Sequence, residues 1–326
     1  MLKTISTNND TTYKLPNTAT TARAIAAGIL IQTGINSINN KVVCAPLMQA
    51  IKNENKPANV ALIRKAINDA FSTTGLEKDG VKIIDAKESK SYIKSFLTDF
   101  FIFKKTPKQY IESINNLIDN LPENSKNINN ALEKGIKLPM PKLVKTLFAN
   151  SFRETLETGN NATYISAAKT IIANVEKMGS SVFHEMGHAI NHNKSLFWKS
   201  LQKMRLPLTI IASTSSLTAI LKRKKIKDEE PKNIFDQFTT FIKNNVGKIV
   251  GLSFVPIIAE ELKATSRGNK LAKQVLKPEL YKHVVKTNRL SAISYISTAV
   301  VTTATAILGS KIRDKIAKPQ IINKDL

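Results

Sequence analysis

SSVFHEMGHAINHN, residues 180–193, holds three of the four histidines in a chain of 326 residues. Its inner part, His184-Glu185-Met186-Gly187-His188, reads H-E-x-x-H. Residues four apart on a helix lie about 40° from one another around the axis and about 6 Å apart along it, so two imidazoles can converge on one metal ion. Glu185 is about 100° round from His184, which suits it to reach a water in an open coordination position rather than to ligate beside the histidines. A zinc ion held by His184 and His188 would lower the pKa of such a water to about 7, and Glu185 would take its proton as general base. The competing explanation is a chance match, with both histidines as hydrogen-bonded core residues. In a chain so poor in histidine that coincidence is rare.

Outward from the motif, Val182, Phe183, Met186, Ala189 and Ile190 give the helix apolar flanks. Gly179 reads as a break, with Ser180 or Ser181 capping a helix that begins at Val182, and Gly187 as a residue that keeps the helix face open. Upstream, NATYIS (161–166) and KTIIANV (169–175) are short β-prone runs separated by Ala167 and Ala168, which predicts a hairpin or a pair of adjacent strands. A strand beside such a helix can offer a substrate an edge to pair with. His192 lies about 12 Å along the helix from His184, too far for shared coordination, and reads as a polar residue near the helix end. The third histidine of the longer H-E-x-x-H-x-x-G-x-x-H pattern would fall on Lys194. His283 is isolated and reads as structural.

A further ligand is suggested by VPIIAEELKATSRGNKLAK (255–273), where Glu260 and Glu261 follow an apolar run. Neighbours on a helix point about 100° apart, so only one of the two can face a given ion. The spacing does not say which, and a solvated helix face is the ordinary setting for paired carboxylates. H-E-M-G-H-A-I followed about 70 residues later by E-E-L-K-A-T-S-R-G resembles the gluzincins, especially the membrane-embedded branch of prenyl-protein and heat-shock proteases and related neutral zinc metallopeptidases. That branch carries E-x-x-A-D or E-x-x-A-S near this place. The resemblance covers residues 160–275 and implies Glu261 as the third zinc ligand. Thr265 stands where the resembled proteins have an aspartate that orients a zinc-bound histidine, a departure from the pattern.

The formal charge is +24, yet the lysines are spread along the chain and only KRKKIK (222–227) forms a basic block. No base-reading motif accompanies it, so attraction to anionic membrane surfaces is the better reading and no nucleic-acid partner is expected. Cys44 is the single cysteine, which excludes an intramolecular disulfide and a thiolate cluster. Any metal must therefore take nitrogen and oxygen ligands. AIAAGILI (24–31) lacks the flanks of a secretory signal and predicts an N-terminal hydrophobic helix. Helical periodicity recurs at 58–71, 106–122 and 141–157, and VKIID (81–85) predicts a strand.

Three apolar runs raise the question of a membrane. LPLTIIASTSSLTAIL (206–221) has sixteen residues, IVGLSFVPIIA (249–259) is short, and LSAISYISTAVVTTATAIL (290–308) has nineteen and no charge. A span needs about 20 apolar residues, so only the last comes close. If the first two form a hairpin, KRKKIK lies at its tip. The lysine-rich stretch 263–289 leaves the orientation undecided.

The sequence thus predicts a mostly α fold with a small β element: a zincin-like H-E-x-x-H helix, a later glutamate-bearing helix, and hydrophobic helices of membrane-spanning character at 206–221, 249–259 and 290–308. Residues 1–155 form a helical N-terminal region of unassigned role and 156–326 the zinc metallopeptidase domain. The expected activity is that of a membrane-bound zinc metalloendopeptidase acting on protein or peptide substrates, with Zn2+ on His184, His188 and Glu261, Glu185 as base, and membrane lipid as a partner. Its rivals are a zinc-binding membrane scaffold without turnover and a basic membrane-surface binding protein without metal.

Overall fold

The computed structural model describes residues 4–6, 12–55, 59–85, 161–166, 169–226 and 229–322. The helices expected at 106–122 and 141–157 lie outside the described residues. In chain order the elements are β1 (Thr4–Ser6), β2 (Thr12–Lys14), α1 (Thr18–Asn39), a π-helical turn (Asn40–Cys44), α2 (Ala45–Glu54), α3 (Val60–Thr74), β3 (Lys82–Asp85), β4 (Ala162–Ile165), β5 (Thr170–Ala173), α4 (Val175–Lys194), α5 (Leu196–Leu221), α6 (Ile234–Val275), α7 (Pro278–Ile316) and β6 (Gln320–Ile322). Among the described residues the fold is mostly helical with two small sheets, as the hydrophobic periodicity predicts. It divides into two units, Met1–Pro46 with Lys203–Ala259 and Ile293–Leu326, and Leu47–Gln202 with Glu260–Ala292.

The first unit contains the apolar helices. Asn17 caps α1 by accepting the amide of Thr20 at 2.7 Å, and the apolar run at 24–31 sits inside that helix, as expected. Ala212, Ala219, Val246, Val250 and Ala306 make a small buried cluster between α5, α6 and α7. Around it, large apolar side chains face outward: Leu252 is 68 % exposed and Val300 61 %, with Leu217, Val255 and Ile296 also exposed. A helix packed only in a water-soluble core would bury that face. Counting uninterrupted runs finds one stretch near spanning length, whereas α5, α6 and α7 are each long and apolar enough to cross a membrane. The difference arises because α5 and α6 continue beyond the apolar runs, through Arg205 on one and Lys248 on the other, where a count of uninterrupted apolar residues stops. β1, β2 and β6 form an antiparallel sheet in this unit.

The second unit is built on the other sheet, ordered β3-β5-β4. β4 and β5 pair antiparallel in the register Ala162 to Ala173, the hairpin partners anticipated from their β-branched residues, and β3 joins β5 in parallel. Ile63, Ile67, Leu76, Ile171, Phe183 and Met186 are among the residues of its core. The helix that carries the histidines does not begin where the sequence suggests. Asn174, not Ser180 or Ser181, is the cap: its backbone is extended and its side chain accepts the Lys177 amide at 3.1 Å. The chain then kinks at Met178 (φ −131°, ψ 22°) rather than breaking at Gly179. The amide of Ser180 finds its partner in Asn55 Oδ1 at 2.9 Å, which supplies the acceptor that the kink removes. Glu54, one residue earlier, is held below the usual carboxylate range by its hydrogen bonds with Lys286 and then His283, so His283 has a structural place as expected.

Candidate metal centre

All of the site lies in the second unit, on α4 and on the part of α6 that follows Ala259. His184 and His188 stand one turn apart on α4 with their rings 4.6 Å between centroids and nearly perpendicular, at 86°. Their Nε2 atoms are 3.0 Å apart. Glu261 Oε2 is 3.1 Å from His184 Nε2 and 3.4 Å from His188 Nε2. Three ligand atoms held about 2.0–2.1 Å from a tetrahedral ion would be roughly 3.3–3.4 Å from one another. The observed triangle has nearly those edges.

The outer nitrogens of both rings are also engaged. His188 Nδ1 lies 2.9 Å from Glu260 Oε1, and a carboxylate accepts, so Nδ1 carries the proton and a neutral His188 presents the Nε2 lone pair. Asn191 Nδ2 donates to the same Oε1 at 2.8 Å, fixing the carboxylate that fixes the ring. His184 Nδ1 is 3.1 Å from Thr265 Oγ1, and a hydroxyl that accepts there leaves the His184 Nε2 lone pair turned inward as well. Two lone pairs and a carboxylate oxygen then converge in a pocket where Glu260 and Glu261 are 0 % and 1 % exposed. Three acceptors at such distances repel one another unless a cation lies among them, and burying the carboxylates uncompensated is costly. The donor set therefore fits a divalent metal of borderline softness, with two imidazole nitrogens and one carboxylate oxygen.

Glu185 is buried close by, with a carboxylate oxygen within 4.8 Å of a ring nitrogen of each of His184 and His188. His192 points elsewhere: its Nδ1 is 3.0 Å from Gln202 Oε1 and its ring meets Tyr164 edge-on at 6.1 Å, which agrees with its reading as a polar residue near the helix end. Tyr164 on β4 is bonded by Asn193, and burial pushes its hydroxyl up to about 12.

Two expectations about this region change. Glu260 and Glu261 do not occupy a solvated face, and they do not compete for one position: the 100° between them sends Glu261 to the inner nitrogens and Glu260 to the outer nitrogen of His188. Gly187 does not keep the helix face open either. A Cβ there would lie 2.0 Å from the carbonyl oxygen of Ala264, and one on Gly268 would lie 2.4 Å from that of Phe183, so the two glycines let the backbones of α4 and α6 touch. Ala264, one turn after Glu261 and fully buried, completes that contact. Lys263 sits over the Trp198 ring at 5.7 Å.

Compared with known protein families, curated proteins and solved structures, the chain matches none. Sequence reasoning brought together His184, Glu185, His188, Glu261 and Thr265 and missed Asn191 and the place of Glu260. Asn191 carried a signal, since it follows His188 by three and His184 by seven residues and so shares their helical face.

The helix contact gives a first prediction. Gly187→Ala forces a Cβ onto a backbone carbonyl that cannot rotate away, and should destabilise the protein by about 1–3 kcal/mol or more while weakening metal binding. Gly34→Ala on α1 meets nothing within 4 Å and should leave the melting temperature unchanged or raise it. Thermal unfolding of both variants checks this, and equal melting temperatures would count against the close approach of α4 and α6.

Proposed function

We propose that the protein is a membrane-bound zinc metalloendopeptidase of gluzincin type, with His184, His188 and Glu261 as metal ligands and Glu185 as general base. The observation that carries this reading is the inward convergence of three lone-pair-bearing atoms whose histidines are oriented from behind by Glu260 and Thr265. Two imidazoles and one carboxylate leave a fourth position open, the arrangement of catalytic rather than structural zinc sites. Zinc bound there would supply a Lewis acid that polarises a peptide carbonyl and brings the pKa of water to about 7.

The chain's own residues do the rest. Glu185 accepts the proton of the attacking water on its carboxylate and returns it to the amine that leaves. Glu260, clamped by Asn191, holds the His188 proton on Nδ1 and so keeps Nε2 available throughout. Thr265 does the same for His184, in the place where the resembled proteins use aspartate. β4 lies at the edge of its sheet among the described strands, and an extended peptide pairing with that edge would be presented beside α4. The three apolar helices support placement in a membrane, and the resemblance to membrane-embedded peptidases agrees with it.

Purified protein should hold about one zinc per chain and hydrolyse an unstructured protein such as casein, losing activity on chelation and regaining it with zinc. Elemental analysis showing no zinc under metal-replete conditions would overturn the assignment. Zinc retained without hydrolysis of any peptide would select a zinc-binding scaffold instead.

A further inference from the structure

We propose that a basic cavity in the first unit, at the ends of the apolar helices, binds a phosphate-bearing anion. The cavity has a volume of about 380 Å3 and is lined by Tyr13, Lys224, Lys225, Arg313, Lys315 and Lys318, with Asp314 as its one carboxylate among the described residues. Asp314 is already engaged, by Lys243 Nζ at 2.9 Å, by Arg313 Nη1 at 3.2 Å and by the backbone amide of Lys224 at 3.1 Å. Lys225 is paired with Asp236. Lys224, Lys315 and Lys318 are exposed and have no ion-pair partner among the described residues. The lining therefore keeps a surplus of positive charge after its internal pairs are formed.

Arg313 is itself short of acceptors. It is 3 % exposed, yet among the described residues its buried Nε finds no hydrogen-bond acceptor and only Nη1 is bonded, to Asp314. A guanidinium taken out of water needs its donors filled, and the rigid fork of N–H groups matches two oxygens of one phosphate. Arg313 lines the cavity, so an anion with several oxygens held there would lie beside a guanidinium that is only partly paired.

Position bears on where such an anion comes from. The cavity lies just beyond Leu221, the last residue of α5, and around the last turn of α7, at the same end of two helices long enough to span a bilayer. The first turns of α6, which follow in the same unit, expose Phe235 (75 %), Phe238 (59 %) and Phe241 (58 %). Aromatic side chains next to lysines at the end of apolar helices are the pattern of the headgroup layer, where basic pockets between helices take anionic lipid. A phospholipid headgroup and a soluble phosphate share the chemistry that the cavity reads.

The test uses the full chain in nanodiscs of phosphatidylcholine alone or doped with phosphatidylglycerol, with bound lipid read by native mass spectrometry. Lys315→Gln/Lys318→Gln should lower retention of phosphatidylglycerol by about tenfold or more. The control pair Lys273→Gln/Lys282→Gln removes equal charge from exposed lysines that do not line the cavity, and should leave retention unchanged. Inorganic phosphate added at increasing concentration separates the sources: displacement of the lipid assigns a soluble phosphate site, and undisturbed retention assigns the membrane headgroup. Arg313→Gln should abolish retention but also disturbs packing, so the lysine pair carries the decision. Equal losses in both lysine pairs, or no preference of the unmodified protein for phosphatidylglycerol over phosphatidylcholine, would overturn the proposal in favour of diffuse charge attraction.

Discussion

Glu185→Gln should retain zinc and lose peptide hydrolysis by roughly 10²–10⁴-fold, the range that a positioned general base contributes. The amide keeps the size of the side chain and its place on α4, so the packing of a residue only 8 % exposed is preserved. It cannot take a proton from water. Because Glu185 adjoins the triangle without forming part of the His184, His188 and Glu261 contacts, metal content and melting temperature should match those of the unmodified protein. Zinc analysis, thermal unfolding and casein turnover on the same preparation make the comparison. Undiminished turnover would remove Glu185 from the mechanism, whereas loss of zinc together with turnover would make it a ligand.

The legible part of this centre was the part with local spacing. An i, i+4 pair of histidines on an apolar-flanked stretch reads as one helix face because the helix period alone decides it, and the hairpin at 162–173 reads because Thr, Ile and Tyr cluster between turn residues. The helix start at Asn174 was hidden because the kink at Met178 is satisfied from outside the local sequence, by Asn55 on a different helix. Gly187 was misread for the same reason. Glycine in a helix predicts either openness or close approach, and only the position of Ala264, 77 residues away, distinguishes them. The parallel pairing of β3 with β5 likewise joins segments far apart in sequence. Membrane-spanning length was underestimated because the apolar runs at 206–221 and 249–259 begin only after Arg205 and Lys248, whereas the helices continue through those charges.

Glu261→Ala should weaken zinc binding more than any other single change outside the histidines, because it removes one of three ligand atoms and leaves two facing lone pairs without their anionic partner. From sequence alone, with only one of two helical neighbours able to face the ion, Glu260→Ala is expected to have only a slight effect. The structure raises that expectation. Glu260 is fully buried and accepts from both His188 and Asn191, so its loss frees the ring to turn or change tautomer and should cost about 10–100-fold in metal affinity. Glu260→Gln keeps an acceptor oxygen for His188 Nδ1 and an amide that Asn191 can still bond, and should recover part of that loss. Glu261→Gln, by contrast, offers a neutral oxygen in place of a charged ligand and should recover little. The expected order of zinc affinity is therefore unmodified protein, Glu260→Gln, Glu260→Ala, Glu261→Gln, Glu261→Ala, measured by competition with a chromophoric chelator. Equal affinities for the two alanine variants, or the reverse order, would place the ligand on Glu260 and the supporting role on Glu261.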